Sequence, residues 1–218
     1  RTGRFNEAWL RQGFFFCNDD GLRFGLVQRK GGPCGPLAVV QAATVRRMMV
    51  DENVDGAESI GIVSDDVRRK SLLHAISDVI WRAGDGSKAF LAVPDPSGSI
   101  VAGVSVCIWK CASKESLLEE IQRSEANWTQ PDGPGLACLV LSSILTRGPS
   151  EVAEDWAGGE VGVGMSEGRM IGHHDYATQE CVSLLLLGRA RSHTFDGTRD
   201  MGEGMILHGV DHTPDEGF

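Results

Sequence analysis

Within six residues, Gly31-Gly32-Pro33-Cys34-Gly35-Pro36, the chain sets three glycines and two prolines around one cysteine. Neither a ladder nor a helix can run through such a stretch, because each proline lacks a backbone N–H and each glycine loses unusual freedom on ordering. It must be a loop that joins two different elements. On its N-terminal side Leu22, Phe24 and Leu26 alternate with Arg23 and Gly25, the period of a short half-buried strand. On its C-terminal side Leu37, Val40, Thr44, Val45 and Met48 recur at helical spacing. Arg46 and Arg47 follow near the end of that helix, where its dipole favours cations. Pro36 suits a first turn, where a missing N–H costs nothing, so the helix is predicted to open at Cys34 or just after it.

A strand, a Gly-rich loop, a cysteine and a helix in that order have a chemical reading. A thiol attacks as its thiolate, and a helix N-terminus favours an anion through free N–H groups and the positive end of the dipole. On this reading Gly32 and Gly35 leave room for a substrate backbone, and Pro33 stiffens the loop before substrate arrives. Gln28, six residues before the cysteine, could aim its carboxamide at the place where the oxyanion of an acyl-transfer intermediate forms. Gln28 and the Cys34 N–H would then make a two-donor oxyanion hole. The alternative is a small buried cysteine in a tight turn.

The rest of the chain supplies mostly helices. Residues 6–12 carry Trp9 and Leu10 and lead into Gly13-Phe14-Phe15-Phe16, and residues 51–61 read as a polar connection. A second helix is predicted over 65–83 on the stripe Leu72, Leu73, Ile76, Val79 and Ile80, stopping at Gly84. Residues 84–103 read as loop, and Val104, Val106 and Ile108 as a strand. Ser113 is placed to cap a helix through about 127, with Leu117, Leu118 and Ile121 inward. Residues 136–145 are a dense apolar run that periodicity alone leaves open between buried helix and buried strand. Residues 151–172 read as a surface loop, and Thr178 caps a helix through Leu187 that stops at Gly188.

The formal net charge of −9 repels phosphate backbones, so nucleic acid is a poor partner. The six cysteines, Cys17, Cys34, Cys107, Cys111, Cys138 and Cys181, form no C-x-x-C pair and read as reduced thiols of a reducing compartment. No apolar run of about 20 residues is present, so no membrane partner is expected. The Gly162-Val163-Gly164 segment with Gly168 departs from the dinucleotide fingerprint and there is no P-loop, so no cofactor is expected. Glu119-Glu120 and Asp65-Asp66 read as solvated helix charges.

The segment Phe24-Gly25-Leu26-Val27-Gln28-Arg29-Lys30-Gly31-Gly32-Pro33-Cys34-Gly35 resembles the MINDY deubiquitinases, in the GGPCG branch that holds the family's third and fourth members. The likeness extends to residues 9–16, to Ile80-Trp81-Arg82-Ala83-Gly84, to Leu141-Ser142-Ser143-Ile144-Leu145-Thr146-Arg147-Gly148 and to residues 178–190. It implies an α+β cysteine-peptidase domain, its nucleophile at a helix N-terminus after a strand and Gly-rich loop. One such catalytic domain would occupy 1–218, incomplete at the C-terminus. The implied activity is that of a thiol-dependent ubiquitinyl hydrolase acting on isopeptide bonds in polyubiquitin of the proteasome-targeting linkage. Its partners would be ubiquitin and polyubiquitin, its location cytoplasmic and also nuclear. Cys34 takes the place of the family's nucleophile and Gln28 that of its oxyanion glutamine.

The family's general base is a histidine in a later strand, and no matching segment occurs here, so the base is expected beyond Phe218. The histidines present are His74, His173, His174, His193, His208 and His212. His74 reads as a helix residue and His173-His174-Asp175 as loop rather than a metal site, so no metal is expected. His208 and His212 come nearest to the missing base in chain order, though neither reads as part of an apolar strand. A thiol without its base supports a second reading, an inactive ubiquitin-binding or scaffold domain.

Overall fold

The computed structural model describes residues 4–51, 54, 56–157, 169–202 and 206–209. Nine α-helices and four strands are formed by the described residues, so the expected mixture of helix and strand is present. The centre is built by α4 (Asp65–Ala83) and α7 (Gly135–Arg147). Residues 136–143 are all buried, as a helix that is apolar all round must be when it lies in the middle of a domain. The open question of 136–145 is thereby settled as helix. Ser64 caps α4 through its hydroxyl, accepting from the Val67 N–H, and Leu72, Leu73, Ile76, Val79 and Ile80 are buried as their spacing required.

Around this centre pack α2 (Cys34–Val50), α5 (Lys114–Arg123) and α9 (Gln179–Leu187). The helix expected over 113–127 is instead two, α5 and α6 (Glu125–Thr129), broken at Ser124, whose hydroxyl bonds back to the Glu120 carbonyl. Thr178 caps α9 and Gly188 closes it, as expected. The short α1 (Glu7–Leu10) brings the fully buried Trp9 to the core. Within 51–61, expected as a connection, the short α3 (Gly56–Gly61) forms.

Two expectations of loop are overturned. Residues 84–103, read as loop, contain β1 (Ala89–Val101), which pairs antiparallel with β2 (Val104–Cys111). The prolines and polar residues that suggested a loop lie where the register slips, with Pro94 and Ser99 both opposite Val106. A bulge absorbs them, and proline is tolerated there because no ladder N–H is asked of it. The other edge of β1 is closed by α7: Thr146 Oγ1 accepts from the Phe90 N–H at 2.8 Å, and Ser142 Oγ from the Ala92 N–H at 2.9 Å. Residues 151–172, read as a surface loop, begin with α8 (Pro149–Ala157), whose Val152 is buried against Ala83, Leu184 and Ala190. Asp155 in α8 holds Arg147 through two 3.0 Å bonds and also accepts from the Ala190 N–H at 3.0 Å. Gly162, Val163, Gly164 and Gly168 lie outside the described residues. A last antiparallel pair, β3 (Thr198–Asp200) and β4 (Ile206–His208), follows α9.

Candidate active site

The segment entering the cysteine loop is not the strand its alternation suggested. It keeps a single bridge, Phe16 to Leu26, flanked by Cys17 N–H to Gly25 O at 2.7 Å and Val27 N–H to Phe15 O at 2.9 Å. Side-chain amides take the place of further ladder partners. From α2, Gln41 donates to Phe24 O at 3.0 Å and accepts from the Leu26 N–H at 2.6 Å. Gln12 does the same one step on, donating to Val27 O at 3.0 Å and accepting from the Arg29 N–H at 2.9 Å. The backbone groups are satisfied, as buried or half-buried groups must be, without a second strand.

Cys34 opens α2 and its side chain is exposed. Pro33 is the N-cap and offers no side-chain bond, and no acidic residue sits in the first turn. The Leu37 N–H is taken by Pro33 O at 3.2 Å, while the N–H groups of Cys34 and Gly35 bond to no other described residue. Those two donors, beside an exposed sulfur, are what a helix start offers to a developing anion. Gln28 is exposed, and its Nε2 donates to Lys30 O at 2.7 Å, so the carboxamide is tied into the loop itself. A carboxamide carries two N–H donors, and only one is engaged there.

The two glycines serve a different purpose from the one expected. A Cβ on Gly32, whose φ is +121°, would stand 2.8 Å from Asp175 O. A Cβ on Gly35 would stand 2.6 Å from Val182 Cγ2 and 3.4 Å from the Ala177 Cβ. The space beside them is filled by the chain's own residues 175–182, rather than left for a substrate. The two segments are also bonded, Ala177 N–H to Gly32 O at 3.2 Å and Trp9 Nε1–H to Asp175 O at 2.8 Å. Trp9 therefore works like a bolt, a buried indole reaching the turn that covers the loop. That turn, His173–Asp175, holds His174 at φ 57° and Asp175 at φ 66°, a left-handed conformation that costs non-glycine residues on the order of 1–3 kcal/mol each. Beside the loop a cleft of about 100 Å³ is lined by Glu7, Ala8, Arg11, Arg29, Lys30 and Asp132.

The histidines fall in several places. His74 lies on α4, where burial lowers its pKa first and the Arg47 charge second. It shares a cleft with Arg47 and Asp51, the far end of α2, and at the helical rise that end is roughly 20 Å from Cys34. His174 is exposed in the covering turn. His193 stacks on Phe195 with ring centroids 5.4 Å apart. His208, expected outside an apolar strand, closes β4 after Ile206 and Leu207. His212 and Phe218 lie outside the described residues. Among the described residues no group of three or more His, Cys, Asp or Glu could hold a metal ion, and no helix is long and apolar enough to cross a membrane.

Sequence reading missed Gln12 and Trp9 as parts of this site. The available signal was a glutamine at the threshold of the apolar run Gly13-Phe14-Phe15-Phe16, a polar residue where burial was certain.

The family profile "Deubiquitinating enzyme MINDY-3/4, conserved domain" matches residues 2–218. "Probable ubiquitin carboxyl-terminal hydrolase MINDY-4" of Homo sapiens is 35% identical over 230 residues, covering 98% of this chain and 29% of the relative. The Xenopus tropicalis protein of that name is 34% identical over 228 residues, covering 98% and 29%. "Ubiquitin carboxyl-terminal hydrolase MINDY-3" of Xenopus tropicalis is 24% identical over 243 residues, covering 97% of this chain and 52% of the relative. The chain thus spans 29% of the length of these MINDY-4 relatives. No solved structure matches it. With a profile match that leaves out a single residue of its length, the chain belongs to the MINDY-3/4 family.

Proposed function

We propose that this domain carries the nucleophile half of a deubiquitinase, with Cys34 attacking the carbonyl at the C-terminus of ubiquitin. The observation that carries the reading is an exposed thiol at the first residue of a 17-residue helix whose opening N–H groups have no side-chain cap. The relatives' names, ubiquitin carboxyl-terminal hydrolases, support the substrate. The general base takes the thiol proton as the sulfur adds to the carbonyl carbon, and the oxyanion is held by the Cys34 N–H and the second amide proton of Gln28. Collapse expels the lysine amine, which takes a proton from the general base, and water then releases ubiquitin from the thioester. The base is a histidine expected beyond Phe218. The GGPCG branch extends the proposal to polyubiquitin of the proteasome-targeting linkage, and a thiol that must stay reduced suits a cytoplasmic or nuclear setting.

The test uses the full-length protein and ubiquitin bearing a C-terminal electrophile. Wild type is expected to form a covalent adduct at Cys34, with Cys34→Ala forming none. An adduct that persists in Cys34→Ala would remove this thiol from the mechanism. A panel of linkage-defined chains reads the specificity, with cleavage expected for the proteasome-targeting linkage first. Binding of ubiquitin without turnover or adduct would establish the scaffold reading instead.

A further inference from the structure

Gln12 is fully buried and lies outside every motif that marks the cysteine loop. Its backbone is fixed from the centre of the molecule, since its C=O accepts from the Leu136 N–H at 2.9 Å in the first turn of α7. Its side chain reaches the other way. Nε2 donates to Gly13 O at 2.7 Å and Val27 O at 3.0 Å, and Oε1 accepts from the Arg29 N–H at 2.9 Å. Both amide protons are used, and a buried carboxamide satisfied in this way has one orientation.

The residues it grips, Val27 and Arg29, stand immediately before and after Gln28. Backbone pairing with the 12–17 segment ends at the Val27 N–H, so beyond that point the Gln12 side chain continues the hold. An exposed glutamine in a loop would otherwise sample many positions. An oxyanion donor contributes only when it is held within about 0.5 Å of its working place.

We propose that Gln12 is a positioning residue for the cleavage reaction, a buried strut running from the central helix α7 to the two peptide groups that flank Gln28. It touches neither substrate nor sulfur and acts by fixing the backbone from which the Gln28 carboxamide projects. This deepens the peptidase reading above and rests on it.

The test compares Gln12→Met, which keeps length and bulk and loses all three bonds, with Gln28→Ala and the double variant, in the full-length protein cleaving ubiquitin from a C-terminal fluorogenic amide. Gln12→Met is expected to lower kcat about tenfold or more with KM within about twofold, the mark of a lost transition-state interaction. The double variant is expected to be no slower than Gln28→Ala, because both changes remove one function. Alkylation of Cys34 by iodoacetamide is expected to keep its wild-type rate in Gln12→Met, since that reaction uses no oxyanion donor. A normal kcat in Gln12→Met beside an impaired Gln28→Ala overturns this inference alone, as do multiplying losses in the double variant. A normal Gln28→Ala overturns the oxyanion assignment, and the inference with it. Should Gln12→Met fail to fold, amide exchange in the wild type decides. Arg29 is expected to exchange about tenfold or more slowly than Gln28, and equal rates would show that the grip is absent.

Discussion

A methyl group added at Gly35 would press on Val182, a β-branched side chain with little rotamer freedom to yield. Gly35→Ala is therefore expected to destabilise the domain by about 1–3 kcal/mol, the usual cost of overpacking, with Val182→Ala restoring part of it in the same background. Thermal melts of the single and double variants check this, and equal melts for Gly35→Ala and wild type would contradict the packing described. Thiols give a second residue-scale outcome. Cys138 and Cys181 are buried, and burial pushes both up to about 12, so neither offers thiolate near neutral pH. Iodoacetamide on native protein is expected to modify Cys34 and to spare those two until denaturant is added, as peptide masses will show. The place of Cys34 at a helix start was legible in the sequence because a cysteine among glycines and prolines, ahead of a helical stripe, is a local pattern. Gln12 and Trp9 were not, because their bonds to Arg29 and Asp175 span 17 and 166 residues, and a glutamine beside an apolar run marks burial without naming its partners.

Elements were legible where one face is apolar and the ends are marked. The helices α2, α4 and α9 fall where spacing, Pro36, Thr178 and the closing glycines Gly84 and Gly188 place them. The strand β1 was hidden because its prolines and polar residues sit in a bulge, and because one of its edges is paired by hydroxyls rather than by another strand. The helix α8 was hidden inside a glycine-rich stretch, although Pro149 at its first position and Glu151 in its first turn are ordinary helix-start residues. The hydroxyl edge makes an element-scale prediction. Thr146→Val keeps shape and removes the acceptor for the Phe90 N–H, which is expected to cost about 1–3 kcal/mol. Hydrogen exchange is the check: the Phe90 amide should lose protection in the variant while amides in α4 keep theirs. Unchanged protection at Phe90 would mean that the hydroxyl is not what closes this edge.

For the whole molecule, two of the three buried thiols, Cys138 and Cys181, link stability to alkaline pH most strongly. In the unfolded chain each titrates near its ordinary value of 9, and in the folded chain near 12. The fold therefore holds the proton more tightly, and its stabilising effect is complete below pH 9 and lost as pH rises toward 12. Urea midpoints are expected to fall between pH 9 and 11, and Cys138→Ala with Cys181→Ala to flatten that fall. An equally steep fall in the double variant would assign the alkaline sensitivity elsewhere. The contact of Trp9 with Asp175 has a further consequence, in the order of synthesis. A ribosome releases Cys34 on the order of ten seconds before the turn that will cover its loop, at ordinary elongation rates. Throughout that interval the nascent chain carries Cys34 on a loop that still lacks the contacts of residues 175–182, and only their arrival completes its packing.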